Sequence, residues 1–242
     1  MLSIDQKQHI CNYLRGMNWH TYHYLDTRLN ELSRYISFAP ENRVTWSESL
    51  ADLLILTSSA VDSFFRDMSK CPYIQSNPDY LEIQQQVGRR RWNINDFRNV
   101  YESIYELSRN EVYAPFGLSP YGSVRPFEEF DKSRKGIPNW WTAYNNLKHD
   151  YYTHLKEANL DNVLNSLGGL LILNALHKCS QEYLLHIRLL KSKGEGAGAT
   201  VKVMISEIKK SMIGYPAKSF AFYSGCNITT SVFSFDLRPD QS

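Results

Sequence analysis

Between residues 5 and 36 the apolar positions recur at helical spacing, with Trp19, Tyr22, Leu25, Leu29, Leu32 and Ile36 on one stripe. A helix is expected there, with Gly16 as the place for a bend. "APEN", residues 39–42, ends it, because proline disfavours helix at the residue before it. "TWSE", residues 45–48, has capping-box spacing, with a hydroxyl three residues before a carboxylate. The helix it predicts runs to about residue 68 and buries Leu50, Leu53, Leu54, Val61, Phe64 and Phe65.

A third helix is expected from Asn77 as cap and Pro78 as first helical residue, and a fourth over residues 95–108 through Phe97, Val100, Ile104 and Leu107. Residues 112–127, "VYAPFGLSPYGSVRPF", are rich in proline and glycine and have room for a short strand or two. Pro138 and Asn139 open a further helix over residues 139–155. A long apolar helix over 160–190 follows, and its Gly168 and Gly169 imply the close approach of a neighbouring helix. "KGEGAGAT", residues 193–200, reads as a linker, and "SFAFYSGCNITTSVFSF", residues 219–235, alternates like a β-hairpin turning near Ser224 and Gly225. The fold class expected is mainly α, a helical bundle with a small β-hairpin C-terminal extension. Its expected divisions are an N-terminal helix over 1–46 packing on the bundle, the bundle over 47–193, and a linker with β-rich tail over 194–242.

Composition narrows the function only a little. Apolar residues at 43% and charged residues at 21% are ordinary for a globular chain, which excludes a disordered one. A net charge of +2 leaves nucleic-acid contact to a local patch. The four cysteines are scattered without a CxxC, which argues against a zinc ribbon or a disulfide scaffold. With no signal peptide over residues 1–5 and "LGGLLIL" too short to span a bilayer, a cytoplasmic protein off the membrane is expected. No cofactor and no metal site are expected: "HTYH", residues 20–23, offers two imidazoles but no third ligand.

The densest chemistry lies in "NWWTAYNNLKHDYYTHL", residues 139–155. On one helix, Trp140, Tyr144, Leu147 and Tyr151 make a packing face, while Trp141, Asn145 and His149 form a second row with Lys148 beside it. Histidine moves protons near neutral pH, lysine holds a phosphate oxygen, and asparagine orients either. That set suits phosphodiester binding or cleavage; a solvated helix face is the alternative. On the helix of residues 48–68, Ser58, Asp62 and Arg66 form a polar stripe. It is either a surface ion pair or a device that sets Asp62 against Lys148 or His149. "GRRRW", residues 88–92, is the strongest basic patch, with Arg90 and Arg91 suited to a nucleic-acid backbone and Trp92 to stacking.

"WWTAYNNLKHDYY", residues 140–152, followed by "EANLDNVLNSLGGLLIL", residues 157–173, resembles the later helices of the HEPN superfamily, helical domains of prokaryotic defence and toxin systems. "SLADLLILTSSAVDSFFR", residues 49–66, is similar to the helix that packs against them, so the resemblance covers about residues 47–190. It implies a HEPN-like bundle and a metal-independent endoribonuclease whose motif is an arginine followed by a histidine, completed by a homodimer around RNA. Laid on that motif, Asn145 and His149 match, but Tyr144 stands where the arginine belongs. A phenol cannot clamp phosphate bidentately, so the implied active site is degenerate. Lys148, or Arg66 from the neighbouring helix, could supply the missing charge.

Three classes therefore stay open. The first is a weak ribonuclease using His149, Lys148 and Asn145, with Trp141, Tyr144, Asp62, Arg66, Arg90, Arg91 and Trp92 binding. The second is a non-catalytic HEPN-like module for a nucleotide, RNA or a partner protein from a neighbouring gene. The third is a structural helical subunit.

Overall fold

A computed structural model describes residues 4–88, 91–114, 122–131, 133, 136–177, 180–181, 183–184, 191–192, 226–229 and 234–236. The chain is mainly helical. Helix α1, Ile4–Leu32, runs through Gly16 without interruption and ends four residues before the expected Ile36. Its stripe of Trp19, Tyr22, Leu25 and Leu29 is buried, and the helix packs on α2, Glu48–Met68, and α8, Leu160–Leu176.

The cap of α2 is Ser47, whose hydroxyl accepts from the Leu50 amide at 3.2 Å, and not the expected Thr45. The displacement has a tertiary cause. The Thr45 carbonyl accepts the Leu160 amide at 2.9 Å, the Arg43 carbonyl accepts the Asp161 amide at 3.1 Å, and Trp46 pairs with Asn159. The segment before α2 is thus held extended against the start of α8. From Ser47 onward all six apolar residues expected in the core are buried. Each such side chain contributes about 1.5–3 kcal/mol by leaving water.

Helices α3, Pro72–Gln75, and α4, Pro78–Val87, follow, and Asn77 caps α4 as its sequence requires. Helix α5, Ile94–Tyr105, starts from Asn93 in a true capping box with Asp96, one residue before the expected start. Glu106 ends it in the left-handed conformation at φ 45°, cutting short the expected run to residue 108.

Helix α6, Asn139–His149, stops well before residue 155. Asp150, with side-chain chemistry that favours a helix start over a helix interior, becomes the cap of α7, Tyr151–His154, and accepts from the Thr153 amide. Glu157 then ties the turn back, accepting from Asn146 Nδ2 at 2.9 Å and bonding His154 Nδ1 at 2.6 Å. Tyr151, expected on the packing face with Trp140, Tyr144 and Leu147, is half-buried and packs against the core from α7 instead of α6.

Helix α8 is buried on nearly every side and ends at Leu176, fourteen residues short of the expected 190. His177 breaks it, and the Ser180 and Gln181 amides return to the His177 carbonyl to start new helical backbone. Gln181 Nε2 takes up the Ala175 carbonyl at 2.7 Å, one of the acceptors a helix end leaves over. The break seats the His177 ring among Phe64, Tyr73 and Tyr105, at centroid separations of 5.6, 5.3 and 6.2 Å.

Gly168 and Gly169 do admit a close neighbour, but it is not a helix. A Cβ on Gly168 would lie 2.8 Å from Val112 Cγ2, and one on Gly169 would lie 3.1 Å from the Phe127 ring. Val112 belongs to β1, Val112–Ala114, which pairs antiparallel with β2, Gly122–Val124. The tail strands join the same sheet: β3, Lys191–Ser192, β4, Cys226–Thr229, and β5, Ser234–Asp236, give the order β2-β1-β5-β4-β3. Strands β4 and β5 form a hairpin joined across residues 230–233, and the expected turn at Ser224–Gly225 lies outside the described residues together with the linker. Among the described residues no helix is long and apolar enough to cross a membrane.

Candidate functional site

One face of α6 and one face of α2 meet the segment between α4 and α5 in a cavity of about 330 Å³. Its walls are Asp62 and Arg66 of α2, Arg91, Trp92, Asn93 and Ile94, and Trp141, Tyr144, Asn145 and Lys148 of α6. Helical geometry explains the α6 contribution. At about 100° per residue, Asn145 and Lys148 fall within roughly 40° of the Trp141 direction.

Arg66 is the best-held cation. Its Nη2 and Nε donate to the two oxygens of Asp62 at 2.8 and 3.0 Å, and its Nη1 donates to the Trp92 carbonyl at 3.4 Å. Its guanidinium also lies over the Phe97 ring, 5.4 Å from the centroid. Arg91 approaches the same carboxylate at 3.7 Å while its side chain stays 76% exposed. Lys148 is exposed, with Nζ 5.6 Å from the centre of the Tyr144 ring. The lining thus carries three cations against one carboxylate.

The aromatic groups are mostly wall. Trp141 is buried edge-on between Trp140 and Tyr144, at 5.6 Å from each. Tyr144 is buried too, and the Ser59 hydroxyl donates to its oxygen at 3.3 Å. Trp92, half-buried, rests against Tyr80 at 5.1 Å and Phe97 at 5.5 Å.

Of the residues singled out from the sequence, the cavity gathers Asp62, Arg66, Arg91, Trp92, Trp141, Tyr144, Asn145 and Lys148. Arg90 lies outside the described residues. His149 is a correction. It is exposed, it is the last residue of α6, and it is not part of the lining. It stands about 80° round the helix from Trp141, where Lys148 stands only about 20° away. Of the two readings open for the α2 stripe, the structure shows the ion pair: Asp62 is joined to Arg66 at 2.8 Å, with Arg91 at 3.7 Å, and not to Lys148 or His149. Asn93 and Ile94 were missed. The "NIND" capping box was their signal, since it fixes where α5 begins beside Trp92. Away from the cavity, His20 of the "HTYH" stretch meets the Tyr183 hydroxyl at 3.4 Å.

A second, smaller cavity of about 230 Å³ lies at the starts of α6 and α8, between Arg43, Arg125, Glu128, Asn139 and Asp161. Its cations face acids, with Arg43 3.9 Å from Asp161 and Arg125 3.1 Å from Glu111. Of these two cavities, the Asp62 cavity has the excess of positive charge among its lining residues.

The fold and this cavity define a mainly helical bundle with a cation-rich cleft walled by aromatic rings. Compared with protein-family models, curated proteins and solved structures, the chain finds no match in any of the three.

Proposed function

We propose that the protein is a HEPN-like, nucleic-acid-directed protein that binds single-stranded RNA in the Asp62 cavity. One observation carries the reading: Arg66, Arg91 and Lys148 come from three separate segments and line one cleft with Trp92, Trp141 and Asn145. Cations that track a phosphate backbone beside aromatic and amide groups are what a single strand requires. In this reading Arg66 supplies from α2 the guanidinium that Tyr144 does not supply from α6. A homodimer, a role in defence or stress response and a partner from a neighbouring gene rest on the HEPN resemblance alone.

Binding without efficient cleavage is favoured within this reading. His149, the one group on α6 suited to proton transfer near neutral pH, lies off the lining. Fluorescence anisotropy with a labelled single-stranded oligoribonucleotide tests the binding. Lys148→Ala and Arg91→Gln should each weaken it several-fold and flatten its salt dependence by about one phosphate contact. Unchanged affinity in both variants overturns the reading. For cleavage, Tyr144→Arg should raise a slow basal rate, and His149→Ala should remove that gain with the circular dichroism spectrum unchanged. A Tyr144→Arg variant no faster than wild type leaves a binding module only.

A further inference from the structure

Resting on that reading of the cavity, we propose that Asp62 is a built-in competitor for phosphate, an internal anion that a ligand must displace from Arg66 and Arg91. Both Asp62 oxygens face one edge of the Arg66 guanidinium, at 2.8 and 3.0 Å. This two-donor fork is the geometry with which arginine takes a phosphate. Asp62 also reaches Arg91 at 3.7 Å, so one carboxylate offsets two of the cavity's three cations. Its side chain is only 21% exposed, which limits the screening that makes surface pairs weak.

The sign of the effect follows from what else holds Arg66. If Asp62 alone fixed the guanidinium, removing it would scatter the site and weaken binding. Arg66 has two further anchors, however: the Trp92 carbonyl at 3.4 Å and the face of the Phe97 ring at 5.4 Å. Neither depends on Asp62. Neutralising the carboxylate therefore leaves a guanidinium in place with its fork open, and the lining rises from three cations and one anion to three cations alone. Asp62 thereby sets a threshold. Ligands with several phosphate oxygens displace it, whereas single weak anions do not.

The test compares wild type, Asp62→Asn, Asp62→Ser, Arg91→Gln and the Asp62→Asn/Arg91→Gln pair on two probes. One is a labelled twelve-nucleotide single-stranded RNA followed by anisotropy; the other is inorganic pyrophosphate followed by calorimetry. Thermal melts confirm folding, and two neutral substitutions guard against one that misfolds. Asp62→Asn should tighten both probes by about tenfold, as expected for one unit charge removed a few ångströms from a half-buried phosphate. Its salt dependence should steepen, and Asp62→Ser should move in the same direction. Adding Arg91→Gln should return affinity toward wild type. Weaker or unchanged binding of both probes by folded Asp62→Asn and Asp62→Ser overturns the proposal, as does absence of binding by every protein. Tightened pyrophosphate with no RNA binding in any variant upholds the competitor and removes the RNA reading.

Discussion

Tyr144 shows how much one side chain decides. Its ring is buried, its hydroxyl takes a bond from Ser59, and its face carries Lys148. It builds a wall of the cleft, at the position where the proposed HEPN-like reading would put an arginine. The charged residues of the cavity were legible in the sequence, because a polar stripe on an apolar helix has few places to go. The position of His149 was less so. Residues 148 and 149 are neighbours in sequence but about 100° apart on a helix, so a row that holds one turns the other away. Another residue-scale consequence concerns Glu102, which sequence reading did not single out. Burial raises its carboxyl above the usual range, although the Ser108 hydroxyl and amide donate to it at 2.5 and 2.9 Å and oppose the shift. A carboxyl whose folded pKa is raised favours the folded state while protonated. Its contribution is complete below the unfolded pKa and is lost as pH rises through the folded one. Urea unfolding of wild type and Glu102→Gln from pH 4 upward should therefore show wild type losing more stability than the variant as pH increases. Parallel curves would contradict the sign.

At the scale of elements, the chain announces its helices better than their ends. The stripes of α1 and α2 and the caps of α4 follow from local spacing alone. The breaks at Asp150 and His177 do not, because each is settled by partners remote in sequence or just beyond the helix: Asn146 and Glu157 in one case, the ring cluster around His177 in the other. The glycine pair in α8 was legible as a close approach, while the identity of the approaching element was not. That distinction can be measured. Gly168→Ala gains up to about 1 kcal/mol of helix propensity. It also places a methyl 2.8 Å from Val112 Cγ2, with Pro126 and Val124 at 3.3 and 3.4 Å. Overpacking of this kind costs about 1–3 kcal/mol, so the substitution should lower the melting temperature. In a Val112→Ala background the clash disappears, and Gly168→Ala should become neutral or stabilising. Additive effects of the two changes would mean that β1 does not pack on Gly168.

At the scale of the whole molecule, the sheet was the least legible feature. Its strands are two to four residues long, and β5 pairs with β1 across more than a hundred positions, a contact no local pattern announces. The assembly is the remaining question at this scale. Lys148, His149 and Asp150 are exposed together at the end of α6, and Tyr152 beside them is 87% exposed. His149 does not line the Asp62 cavity of its own chain, so a role in cleavage there calls for a second copy to bring it to the cleft. Sedimentation equilibrium at tens of micromolar should then give twice the chain mass, and Tyr152→Asp should return it to the chain mass. Mixing offers a sharper check in the Tyr144→Arg background. If each site uses Lys148 of one copy and His149 of the other, Lys148→Ala and His149→Ala chains are inactive alone. Combined as a heterodimer, they restore one intact site in two. A monomer at those concentrations, or a mixture no more active than its components, would overturn that shared-site arrangement.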